Sequence, residues 1–125
     1  MRLRPENLGL FVALGLIAAT LSGCAAKNVW QAARNGNRGQ LKDLLENDPS
    51  LLNAPDKNGW TPLLWATSHG HKNTVELLLK KGADPTVRAS AGHTALKEAR
   101  AEGHLTIEKM LLEALEQRGE VPKRY

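Results

Sequence analysis

Four histidines, one cysteine and a few paired carboxylates are the groups in these 125 residues whose types and spacing could do chemistry. His69 and His71 stand two apart near a helix end, a poor ligand spacing for one helix face. Glu113 and Glu116 fall three apart on a predicted helix, where such a pair is far more often a solvated surface than an acid–base couple. No Ser, His and acid fall into a nucleophile elbow, and the stretch GADPTVRASAG has glycines but no strand-to-helix phosphate loop. The expectation is a protein that is not an enzyme, with no catalytic residue, no metal site and no cofactor. Cys24 is different, because its chemistry follows from its position.

Arg2 and Arg4 make a short basic start, and Leu8 to Leu21 is apolar apart from Thr20. Those 14 residues fall short of the roughly 20 that a membrane-spanning helix needs. A basic start, a short apolar core and small residues after it describe a secretory signal peptide. Leu21-Ser22-Gly23-Cys24 resembles the bacterial lipobox: a Leu, two small residues and a Cys. The resemblance implies that the Cys24 thiol takes a diacylglyceryl group, that the chain is cut before it, and that the new amino group is acylated. Two or more acyl chains hold a protein stably at a bilayer. With Cys24 acylated, no thiol remains to be oxidised, which agrees with export. Ala25 follows, where Asp commonly retains lipoproteins in the inner membrane of two-membrane bacteria. The implied location is the bacterial cell envelope, lipid-anchored in the outer membrane and facing the periplasm. An uncleaved signal anchor and an ordinary buried Cys are the alternatives.

The chain from Cys24 to Tyr125 has 102 residues, enough for one small domain. It carries 15 basic and 12 acidic residues, net +3, with the signs interspersed. That is a solvated surface and argues against a nucleic-acid partner, as do the few aromatic residues available for base stacking.

Two stretches match at a fixed offset. Gly59, Thr61, Leu63, Ala66 and Gly70-His71 recur 33 residues on, as Gly92, Thr94, Leu96, Ala99 and Gly103-His104. An earlier, degraded copy has Val29, Ala32 and Gly36 at an offset of 34. This spacing, with Gly-x-Thr-Pro-Leu and a later Gly-His, resembles the ankyrin repeat. Asp56 to Asp84 is a nearly complete match, and the copies on either side are weaker. The implied fold is an all-α ankyrin-repeat solenoid of about three stacked helix-turn-helix repeats with finger-like turns. Residues 1–23 are read as the signal peptide and 24–27 as lipidated Cys and tether. Residues 28–117 are the repeat domain (about 28–58, 59–91 and 92–117), and 118–125 a flexible tail.

Local signals support that reading. Asp56-Lys57-Asn58-Gly59 is turn chemistry, and Thr61-Pro62 is a hydroxyl cap followed by a Pro at the first helical position. The first helix of the middle copy ends at Gly70. The second runs from about Asn73 to Lys80 with Val75, Leu78 and Leu79 on one face, and Gly82 follows as its stop. The third copy predicts helices over Thr94–Ala101 and Leu105–Gln117, with Ile107, Met110, Leu111 and Leu115 inward. The first predicts Val29–Asn35 and Gln40–Asn47. End repeats need polar outer faces. Arg34, Arg38 and Gln40 supply one, and Glu108, standing where Val75 stands in the middle copy, supplies the other. The long last helix is expected to cover the open end. Leu64 and Lys97 occupy the place of the family's usual His, Ala95 replaces Pro, and Ala89 replaces the Asp that begins the third turn. The finger between repeats two and three is therefore open to question, while the stacking pattern stands.

In ankyrin proteins the turn tips and first helices line a concave surface that recognises other proteins. By position this implies a partner-binding set of Lys57, Asn58, Trp60, Ser68 and His69, with Arg88, Ser90, His93 and Glu102 from the next repeat. Ala91 and Ala101 flank that second group, and Arg34 and Asn35 add to it from repeat one. Trp60, expected at a turn tip, is either a hot spot or a packing residue. Trp65 is expected half-buried between repeats, and Trp30 in the core of the first cap. His71 and His104, after the repeat Gly, are expected to be structural. The function implied is a monomeric, membrane-tethered ankyrin-repeat lipoprotein that holds, chaperones or inhibits an unknown envelope protein. The alternatives are an immunity protein against a periplasmic toxin, a structural lipoprotein without a discrete ligand, and a metal or small-molecule site on the histidines.

Overall fold

In a computed structural model, residues 28–120 are described; the expected signal peptide and tether, with Cys24, and residues 121–125 of the expected tail lie outside them. Six α-helices and no strand appear among the described residues. The helices are α1 (28–35), α2 (Arg38–Asn47), α3 (Pro62–Ser68), α4 (Lys72–Lys80), α5 (Ala95–Ala101) and α6 (Leu105–Gln117). Two short 3₁₀ turns, Pro49–Asn53 and Ser90–Gly92, lie in the connections.

The helix starts are fixed by side-chain oxygens accepting orphan backbone N–H groups. Thr61 Oγ1 accepts from Leu64 N, Thr94 Oγ1 from Lys97 N, and Asn37 Oδ1 from Gln40 N. The Asn37 cap starts α2 at Arg38, two residues earlier than its apolar pattern predicts. The ends are just as regular. In α3, Gly70 N donates to Thr67 O and His71 N to Ala66 O, a Schellman pair with Gly70 at φ +73°. The same pair of bonds closes α1, α4, α5 and α6. Residues 118–120, predicted as the start of a tail, form the cap of α6, and Arg118 also reaches Asp84 at 3.6 Å.

Packing follows from side-chain size. α3 packs on α4 and on α5, while α4 packs on α2 and on α6, which puts first helices in one layer and second helices in another. The buried positions of the first helices include Ala32, Ala33, Ala66, Ala95 and Ala99, small enough for close approach between repeats. The second helices contribute Leu41, Leu45, Val75, Leu77, Leu78, Ile107, Leu111 and Leu115. Leu79 and Met110, predicted inward, are only half-buried and edge this core. Trp30 is half-buried against the core and its Nε1–H donates to Ala54 O at 2.8 Å.

His71 ties its repeat to the one before by a hydrogen bond, and His104 packs on the one before it. His71 Nε2 lies 2.8 Å from Arg34 O; a carbonyl can only accept, so Nε2 carries the proton. The two rings lie over the glycines of the preceding repeats, where a Cβ on Gly36 or Gly70 would collide with them.

Candidate functional site

The finger ahead of α3 is organised by one carboxylate. Asp56 Oδ1 accepts from the backbone N–H of Asn58 (2.8 Å) and of Trp60 (2.9 Å), and Oδ2 accepts from Trp65 Nε1–H at 3.0 Å. Asp56 N–H in turn donates to Trp60 O at 2.9 Å, closing the finger at its base. The exposed tip is Lys57-Asn58. Trp60, predicted at the tip, sits instead at the base and half-buried, because its backbone pairs with Asp56 and its ring packs inward. Trp65 is half-buried as predicted, but it belongs to the same face as Trp60 through its bond to Asp56.

The two indoles start a row of rings across the finger side. Their centroids are 4.8 Å apart and tilted by 45°, and Trp60 continues to His93 at 5.4 Å. On the other flank the Arg34 guanidinium lies 5.5 Å from the Trp65 ring centroid, within cation–π range. His69 is exposed beside Trp65, its Nδ1 3.2 Å from Trp65 O, and Ser68 is half-buried next to it. The row therefore runs Arg34, Trp65, Trp60, His93, across all three repeats.

The second finger closes by other means. With Ala89 in place of an Asp, no side chain caps the turn Ser90–Gly92, and Ala91 sits at φ +62°. The turn is instead held by the backbone: Ala89 N donates to His93 O at 2.9 Å, and Ser90 N and Oγ both donate to Asn58 O of the first finger, at 2.9 and 2.8 Å. The finger left open by the sequence is thus present and strapped to its neighbour. His93 Nδ1–H donates to Glu98 Oε1 at 2.5 Å, and the Glu98 side chain is only 11% exposed. Arg88 and Ser90 are exposed on this finger, and Glu102 is exposed just past α5.

Of the residues expected to bind a partner, Trp60 and His93 come into direct ring contact. Lys57, Asn58, Arg88 and Ser90 line the two adjoining fingers. Ser68, His69 and Glu102 lie at the far ends of their helices. Asp56, Trp65, Glu98 and Lys97 were not anticipated as part of this face. The repeat offset held a signal for two of them: Trp65 and Glu98 stand 33 apart, as do Trp60 and His93, so the second pair occupies the register of the first. Glu113, on the second-helix layer, is exposed and lines an open groove of about 570 Å³ between α4 and α6.

Comparison with known proteins fits this geometry. A family model described as ankyrin repeats (3 copies) matches residues 29–121. The human DNA-binding protein RFXANK is 41% identical over 76 residues, which is 61% of this chain and 29% of that protein. The human NAD-capped RNA hydrolase NUDT12 is 37% identical over 83 residues, 66% of this chain and 18% of the relative. Human ankyrin repeat family A protein 2 is 38% identical over 77 residues, 62% of this chain and 24% of the relative. In each case the match spans less than a third of the relative's length.

Proposed function

The chain belongs to the ankyrin-repeat family, a protein-interaction fold, and from that premise we propose that it is a membrane-tethered binding protein of the bacterial envelope. In this reading Cys24 carries the lipid, and the stack faces the periplasm from the outer membrane. The finger-side face holds, chaperones or inhibits an envelope protein.

The observation that carries the binding half is the ring row Trp65–Trp60–His93 with Arg34 at its end. A half-exposed indole pair offers a large, rigid apolar area, and Trp and Arg dominate the hot spots of protein interfaces. Asp56 holds the Trp65 ring by its indole N–H and anchors the Trp60 backbone beside it, so the pair is organised without a partner. Preorganisation of this kind reduces the ordering entropy lost on binding. The tethering half is carried by the sequence Leu21-Ser22-Gly23-Cys24 after a short apolar segment. Only residues 25–27 separate Cys24 from the first described residue, Asn28, so the first repeat stands close to the bilayer in this reading.

The test has two parts. Labelling with a radioactive fatty acid is expected to mark the native protein and leave Cys24→Ser unlabelled and uncleaved; equal label in both excludes the anchor. A pull-down from solubilised envelope, with the lipidated protein as bait, is expected to give one saturable partner. No partner at all favours a structural lipoprotein.

A further inference from the structure

The finger-side face is charged differently from the rest of the domain. The second-helix layer, taken as residues 38–47, 72–81 and 105–120, carries seven basic and seven acidic residues. The first helices and fingers, taken as 28–36, 54–70 and 87–103, carry five basic and three acidic residues. The acids of this set are mostly engaged within the fold and keep their formal charges there. Asp56 has both oxygens engaged, and Glu98 holds His93, which leaves Glu102 as the one exposed acid of the three. Of the five cations only Arg100 is in an ion pair, with Glu108. Among the described residues, Arg34, Lys57, Arg88 and Lys97 form none.

These four cations stand on the helices and fingers that carry the ring row. Arg34 caps its repeat-one end, Lys57 stands on the first finger, and Arg88 leads into the second. The Lys97 ammonium folds over that second finger, 3.7 Å from where a Cβ on Gly92 would lie. They come from successive repeats, Arg34 from the first, Lys57 from the finger of the second, and Arg88 and Lys97 from the third, which fits a chain of separated anions better than a single phosphate. The described domain as a whole is neutral, with 12 basic and 12 acidic residues. A nucleic-acid duplex or an anionic bilayer is a continuous array of charge, and neutralising it takes many cations.

Resting on the binding reading above, we propose that this face takes an extended acidic peptide segment of the partner. Its carboxylates meet Arg34, Lys57, Arg88 and Lys97, and one aromatic or aliphatic side chain seats on the Trp60–Trp65 pair. Charge matching of this sort sets specificity and association rate, while the indoles supply the anchor.

The test uses the full chain in detergent and follows its tryptophan emission. The probes are acetyl-Asp-Glu-Phe-Asp-Glu amide, the same peptide with Lys at every acidic position, and vesicles of phosphatidylglycerol and phosphatidylethanolamine. The acidic peptide is expected to shift the emission saturably, about tenfold more tightly than the Lys peptide, and to weaken between about 50 and about 300 mM salt. Arg34→Ser with Arg88→Ser is expected to lose most of that preference with unchanged circular dichroism. Lys97→Ser alone is expected to lose a smaller part of it. Equal or tighter binding of the Lys peptide overturns the proposal, as does an emission shift with the vesicles and none with the peptide. Unchanged affinity in the folded double variant, or no shift at about 1 mM acidic peptide, also overturns it. A saturable envelope partner still captured in those cases leaves the binding reading standing without its acidic specificity; if neither peptide nor partner binds, both fall.

Discussion

Repeats two and three put different chemistry on the same backbone, position for position. Trp60 and Trp65 of the middle repeat become His93 and Glu98 in the last, so an indole pair 4.8 Å apart is replaced by a hydrogen-bonded imidazole and carboxylate. Deeper in the stack, Thr67 and Val75 are fully buried against the third repeat, while their counterparts Arg100 and Glu108 form a 2.7 Å ion pair at the open end. The first difference tunes a face and the second ends a solenoid. Both leave the helices, caps and glycines in register, which shows that this repeat takes its fold from a small set of positions and leaves the rest to function.

The comparison predicts where substitutions hurt, and the largest effects lie in the shared core. Leu78 and Leu111 are equivalent and fully buried. Changing either to Ala is expected to cost about 2–5 kcal/mol, a large share of the about 5–10 kcal/mol available to a domain this small. Leu78 should cost more, since repeats flank it on both sides. Urea midpoints followed by circular dichroism check this, and midpoints unmoved by both changes would contradict the stack.

Equivalent glycines separate next. Gly70 and Gly103 share φ near +72°, but a Cβ on Gly70 would meet the His104 ring at 2.7 Å, while one on Gly103 meets nothing within 4 Å. Gly103→Ala should therefore cost only the left-handed strain, about 1–2 kcal/mol, and Gly70→Ala clearly more. Equal costs, measured by the same melts, would mean that the His104 ring moves aside freely.

Smaller effects distinguish the buried interface from the capped end. Thr67 Oγ1 is buried without a hydrogen-bond partner. Thr67→Val removes that unsatisfied hydroxyl and should be neutral or stabilising by about 1 kcal/mol. Arg100→Ala breaks only a partly exposed pair and should cost under about 1 kcal/mol, less in high salt.

The smallest effect is one of pH. Hydrogen bonding from the Thr86 hydroxyl, with help from the Thr86 N–H and Arg118, holds the Asp84 carboxyl below the usual Asp value despite partial burial. A carboxyl depressed in the folded state stabilises it above its unfolded pKa and loses that contribution as pH falls through the folded one. Wild type should therefore lose slightly more stability than Asp84→Asn on acidification below about pH 4, and identical acid titrations of the two melts would remove Asp84 from the account.

Much of the fold was legible because its determinants are local. The 33-residue offset, the Thr caps and the stop glycines each act within a few residues. The start of α2 was missed because Asn37 outranks an apolar pattern that begins only at Leu41. The second finger was doubted because Ala89 removes the side-chain staple, and its replacement comes from Asn58, about one repeat away. The site was harder for the same reason. Residue positions named Trp60 and His93, but only the folded chain brings Asp56 to both Trp60 and Trp65, and Arg34 to the Trp65 ring.

The most direct test of the finger-side face is capture of the proposed envelope partner by Trp60→Ala/Arg88→Ala, with Glu113→Ala on the second-helix layer as the control. Each purified variant is checked by circular dichroism. The double variant is expected to keep its helical spectrum and the proposed membrane attachment and to lose capture, while Glu113→Ala captures as wild type does. A folded double variant that captures the partner fully would contradict the account.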